Sequence, residues 1–193
     1  MGREQSPDKR TRYLQSALKL FVEKGVEGTS TAAIAKDAGT AAGTLFIYFP
    51  TKQDLIHELV LKIAQDQSEY IHSLLHSSLN AEETFKAIWE GSINWFLNNI
   101  DAYHYIRQVR DPGLIAEKIV RESEQYLIYY YEAIQKGLDE DTIKPYPQEL
   151  IGTFLYQGIT AVMNLITSGI EAHQRSSYIQ EGFNIFWDGI KAG

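Results

Sequence analysis

Between positions 29 and 44 the chain carries two clusters of side chains suited to a polyanion. Thr29, Ser30 and Thr31 bring three hydroxyls together where a short helix is expected to begin. The first backbone N–H groups of any helix lack intrahelical partners, so hydroxyls and N–H groups together favour an anion such as a nucleic-acid phosphate. Such contacts position a protein without reading sequence. Lys36, a few residues on, is a further candidate. The second cluster, Thr40, Ala41, Ala42, Gly43 and Thr44, is small throughout, so a helix built from it can bring its backbone deep into a major groove. Small side chains make few bidentate base contacts. Specificity is therefore expected from thymine methyl contacts, the Thr hydroxyls and duplex shape rather than from an Arg or Asn code.

The elements that hold these residues follow from periodicity. Apolar residues recur at spacings of three and four almost throughout, and only five prolines interrupt them, which predicts an all-α fold. Helices are expected near 8–24, 30–37, 41–47, 51–78, 82–99, 102–109, 113–137, 147–168 and 176–191. The first buries a stripe of Leu14, Ala17, Leu18 and Phe21. The next two are very short and separated only by Ala38-Gly39-Thr40, which is helix-turn-helix spacing. Ser30 is placed to cap the first of the pair, and Gly39 supplies the positive φ that a tight interhelical turn requires. Ile34, Ala35, Ala38 and Leu45 are the residues expected to fix the crossing of the two helices. Neither is long enough to be stable alone, so they form as a packed unit. Thr51 with Asp54 reads as the capping box of the helix that follows.

The run from Thr29 to Leu55 resembles the DNA-binding signature of the tetracycline-repressor (TetR) family of bacterial regulators. The landmarks Thr29-Ser30, Ile34-Ala35, Ala38-Gly39, Gly43-Thr44-Leu45, Tyr48-Phe49 and Lys52 stand in the family's order and spacing. Thr40 and Ala41 depart from it, standing where the family usually has Val and Ser. A core contact weakens there, and a usual phosphate-binding hydroxyl is missing or moved to Thr40. The resemblance implies that Tyr48 and Lys52 bind phosphates. Lys9, Arg10 and Arg12, with Arg3, are further candidates on an N-terminal arm that reaches a minor groove. It also implies an N-terminal three-helix helix-turn-helix domain, residues 1–52, and a C-terminal helical bundle, residues 53–193, that binds a small effector and dimerises.

Most of the aromatic supply lies in that second part. Phe85, Ile88, Trp89 and Phe96 form one face of the helix at 82–99, with Trp95 pointing elsewhere, while Tyr126 and Tyr130 mark successive turns of the helix at 113–137. Two such helices can line a pocket with apolar walls and phenol tips, so Phe85, Trp89, Phe96, Tyr126 and Tyr130 are the expected ligand contacts. From Leu150 to Ile170 no residue is charged, which taken alone fits a membrane span. Its Thr, Asn and Gln residues lower its hydrophobicity, and a helix packed both on its own core and on a second subunit needs apolar cover all round. With Phe183, Ile185, Phe186 and Trp187 it is expected to form half of a four-helix dimer interface, with no membrane contact.

Charge agrees with this division. Residues 1–52 hold eight Lys/Arg against five Asp/Glu, and the remainder ten against twenty, a basic head on an acidic body. The absence of cysteine excludes thiolate metal sites, disulfides and cysteine nucleophiles together, and fits a reducing cytoplasm. The polar opening Met-Gly-Arg-Glu-Gln-Ser predicts no secretory signal. His72 and His76 share a spacing that metals use, but no third ligand accompanies them. There is no phosphate-binding glycine loop, nucleophile elbow or zinc-protease motif. No cofactor and no catalysis are expected. The expectation is a dimeric, ligand-responsive transcriptional regulator, a repressor bound to a palindromic DNA operator.

Overall fold

The structure, a computed structural model, describes residues 7–110 and 114–193, and among these it is helical with no strand. In chain order the helices are α1 (Pro7–Lys24), α2 (Thr31–Asp37), α3 (Ala42–Tyr48), α4 (Lys52–Leu74), α5 (Ala81–Asn98), α6 (Ile100–Arg110), α7 (Glu117–Glu124), α8 (Ile128–Asp139), α9 (Gln148–Thr167) and α10 (Arg175–Ile190). Packing divides the chain into two compact units. One takes in the chain through Gln65 together with Asn99–Glu124; the other comprises Asp66–Asn98 and Gln125–Gly193.

In the first unit α1 starts at Pro7, whose fixed φ and missing N–H suit a helix start. The described part of the expected arm is thus helix: Lys9, Arg10 and Arg12 lie in the first turns of α1, and Arg3 lies outside the described residues. The unit's centre is Tyr13, Phe21, Phe49, Ile34, Leu45 and Leu55, all fully buried. α6 closes it on α1. Phe21 stacks on Tyr105 at 5.7 Å, and the buried Tyr105 hydroxyl donates to the Ile56 carbonyl at 2.8 Å. Burial pushes that phenol well above the usual tyrosine range, because an anion there would have no solvent.

The second unit is a bundle around a ring cluster. Trp89 stacks on Phe186 at 6.0 Å, Phe85 lies 5.8 Å from Trp187, and Trp89 Nε1 donates to the Ile179 carbonyl at 2.9 Å. α10 comes this close because position 182 is glycine: a Cβ there would stand 2.6 Å from Val162 and 2.9 Å from Trp89. α5 and α8 run antiparallel, with the Ser92 and Tyr130 hydroxyls 3.4 Å apart and Lys136 Nζ donating to the Leu79 carbonyl.

Two boundaries differ from the periodic pattern. The single helix expected at 113–137 is α7 and α8, separated by a 3₁₀ turn at Gln125–Leu127. The break falls where the chain leaves one compact unit for the other. α4 ends at Leu74 rather than near 78, and Asn80 opens α5 through a reciprocal cap with Glu83. His76 therefore lies past the end of α4, hydrogen-bonded to Ser78, and shares no helix face with His72.

Candidate nucleic-acid interface

α2 and α3 are held as the sequence requires. Ile34, Ala35, Ala38 and Leu45 are buried between them, and Gly39 takes φ +71° in the turn. Ser30 caps α2 by accepting from the Ala33 N–H at 3.1 Å. Thr51 and Asp54 form the expected box, with the Thr51 N–H donating to Asp54 Oδ2 at 2.8 Å and the Asp54 N–H to Thr51 Oγ1 at 3.1 Å. Lys19 pairs with Asp37 at 2.8 Å across α1 and α2, which holds that carboxyl below its usual range.

The candidate residues separate into two groups. Ser30, Lys36, Ala41, Ala42 and Gly43 are exposed, and Thr31, Thr44 and Lys52 are half-buried. Thr29 does not stand with them. It is buried, and its hydroxyl donates to the Leu20 and Gly25 carbonyls at 3.0 and 2.8 Å, tying the end of α1 to the start of α2. Nor does Thr40 replace the missing hydroxyl at position 41: its Oγ1 accepts from the Tyr13 hydroxyl at 2.7 Å and donates to the Ala35 carbonyl at 3.3 Å. Ala41 caps α3 by backbone conformation alone, with no side-chain hydrogen bond. Tyr48 is buried, its ring 5.5 Å from Tyr13.

Arg10 is half-buried against α4, forming a two-pronged ion pair with Glu58 and lying 5.2 Å over the Phe49 ring. Arg12 Nε stands 3.4 Å from Asp8. α3 itself presents two large apolar side chains to solvent that its small residues overshadow in the sequence, Phe46 and Ile47. The signal was available: once Leu45 and Tyr48 turn inward, a 3.6-residue period sends 46 and 47 out.

The second unit places the expected ligand contacts unevenly. Phe85 and Trp89 are core, enclosed by Phe183, Phe186 and Trp187. Trp95, expected elsewhere, is buried as well and lies edge-on to Phe96 at 5.4 Å. Phe96 and Tyr126 are half-buried, Phe96 one turn past Ser92 on α5 and Tyr126 in the 3₁₀ turn just ahead of α8. Beside Tyr130 the ring of Tyr129 lies at 4.6 Å, its hydroxyl buried without a hydrogen-bond partner. Burial pushes the Tyr129 phenol far above its ordinary range.

Of the expected interface helices, Phe183, Phe186 and Trp187 point into the chain's own core, while Ile185 and Phe154 are 78% and 65% exposed. A groove of about 580 Å³ runs over α9 and α10, lined by Leu150, Phe154, Gln157, Ala161, Ile185 and Gly189 among others. α9 has mean hydropathy 1.4 over its most apolar stretch, one third of it buried. Its threonines fold back on the helix, Thr153, Thr160 and Thr167 each donating to the carbonyl four residues earlier.

Comparison with known proteins agrees with this architecture. Residues 14–59 match the model of "Bacterial regulatory proteins, tetR family". The HTH-type transcriptional regulator YvdT of Bacillus subtilis is 34% identical over 137 residues, spanning 71% of this chain and 69% of that protein. YhgD of the same organism, another HTH-type transcriptional regulator, is 24% identical over 156 residues, covering 75% of this chain and 77% of its own. Among solved structures, a tetR family transcription regulator from Shewanella sp. PV-4 superposes with TM-score 0.88 at 26% identity, covering 96% of this chain and 99% of that one.

Proposed function

This chain belongs to the tetR family of bacterial regulatory proteins, transcriptional regulators with a DNA-binding helix-turn-helix, and from that premise we propose that it is a ligand-responsive repressor binding a palindromic operator as a dimer. The observation that carries the reading is α3: a seven-residue helix locked by buried Leu45 and the Gly39 turn, with Ala41, Ala42 and Gly43 exposed. Ser30, Thr31, Lys36 and Lys52 grip phosphates around it, Tyr48 supports α3 from its buried side, and Thr44 lies at the edge of the groove-facing side. Thr29 and Thr40 serve by setting the angle of α2 and α3, since their hydroxyls are spent inside the protein.

The dimer forms through the groove on α9 and α10, where Phe154 and Ile185 meet a two-fold mate. Two heads then read half-sites roughly 34 to 36 Å apart, one turn of duplex. The effector enters at the Phe96–Tyr126–Tyr130 end of α5 and α8, while Phe85 and Trp89, packed on the rings of α10, hold α5 in place. A hundredfold loss of DNA affinity requires the effector to favour the unfitting state by roughly 2.7 kcal/mol. The protein acts in the cytoplasm, beside the chromosome, and α9 needs no membrane.

The test is fluorescence anisotropy of the full chain with fragments from upstream of its own coding sequence, at about 50 to 300 mM salt. One fragment should bind tightly, with affinity falling steeply as salt rises, and footprinting should show two related half-sites. Binding of no fragment even at the lowest salt would refute the proposal. Repeating the footprint with fractionated small-molecule extracts identifies the effector by loss of protection.

A further inference from the structure

α3 turns Leu45 and Tyr48 inward, and the side it gives to solvent consists of Ala42, Gly43, Phe46 and Ile47. Phe46 is 45% and Ile47 47% exposed, so two large apolar side chains stand side by side on a helix of seven residues. None of the four carries a side-chain donor or acceptor. The nearest hydroxyls do not make up the lack. Thr40 donates to Ala35, and Thr44 is half-buried at the edge of the face.

Hydrogen-bonded readout of base edges thus has no side chain on this face to perform it. What remains is apolar contact, and the one apolar group that a base edge offers in the major groove is the thymine 5-methyl. We propose that Phe46 and Ile47 determine operator specificity by covering thymine 5-methyl groups. This rests on the DNA-binding reading above. Both residues lie inside the stretch matched by the family model, so their face is continuous with the DNA-binding element. Adjacent helix positions diverge by about 100°, so the two side chains reach different base steps. Ala42 and Gly43, having almost no side chain, let the helix come close enough for both.

The test needs no variant at first. The full chain selects its preferred duplex from random-sequence DNA, and each thymine is then replaced singly by deoxyuridine, which removes only the methyl. Each covered methyl should cost about fourfold in affinity, the effect of one buried methyl group. Phe46→Ala and Ile47→Ala should each abolish the uracil penalty at its own position and leave the other. Both side chains are exposed, so the variants should keep the parent's melting temperature. Wild-type affinity indifferent to uracil at every position would overturn the proposal, and so would penalties that persist in both variants. A chain that selects no duplex at all would instead overturn the DNA-binding reading on which it stands.

Discussion

The Tyr13 hydroxyl donates to Thr40 Oγ1 over 2.7 Å, which fastens α1 to the turn between α2 and α3. Position 40 is where the family usually has Val, so this bond accounts for a departure that looked like a weakened core contact. Thr40→Val would leave a buried phenol without its acceptor and should cost about 1 to 3 kcal/mol, whereas Tyr13→Phe should cost about 1 kcal/mol. The double variant should lose less than Thr40→Val alone, because no phenol is then stranded. Urea denaturation of the four proteins checks this; simply additive losses would contradict the pairing.

Ala41 begins α3 without a side-chain cap. Ala41→Ser restores an acceptor for the helix's first N–H groups and should stabilise the chain by about 0.5 to 1 kcal/mol. An unchanged urea midpoint would mean that those N–H groups are already satisfied.

Much of the DNA-binding head was legible in the sequence because it is local. Ile34, Ala35, Ala38 and Leu45 lie within twelve positions, so spacing alone brings them together, and the Thr51–Asp54 box is closed over three residues. Thr29 was not legible. Its hydroxyl turns back to Leu20 and Gly25, a choice made by the path of the loop and not by the composition of Thr29-Ser30-Thr31. Nor does any local pattern show that α6 packs on α1 through Phe21 and Tyr105. On α10 the pattern is silent for another reason: Phe183, Ile185, Phe186 and Trp187 are all apolar, so periodicity cannot say which face is inside.

That difference decides how the proposed dimer must be tested. Phe186 packs on Phe85 and Trp89, so Phe186→Glu would bury a charge and unfold the unit rather than separate subunits. Ile185 is exposed in the single chain. Ile185→Glu should therefore give folded monomers by sedimentation, with helical circular dichroism retained and operator affinity reduced. A dimer surviving this change would place the interface elsewhere.

Lys52 opens α4 beside the end of α3. As a phosphate contact it neutralises one charge, so Lys52→Ala should weaken selected and random duplexes alike and flatten the salt slope by about one unit. A loss confined to the selected duplex would make it a base contact instead.

His57 supplies a pH dependence. Gln53 Nε2 lies 2.6 Å from His57 Nε2 and donates to the Leu114 carbonyl at 2.8 Å, which ties α4 to the segment ahead of α7. An amide donor at that ring nitrogen requires it to be an acceptor, hence a neutral imidazole. Burial lowers the His57 pKa below 6.5, outweighing the opposing carboxylates of Asp54 and Glu122. Between 6.5 and the lowered folded value, the unfolded chain therefore binds more protons than the folded one. Stability due to His57 is complete above about pH 7 and is lost as pH falls through that window. His57→Gln should flatten the decline in urea-derived stability between about pH 7.5 and 5.5. The same slope in variant and parent would show that His57 titrates alike in both states.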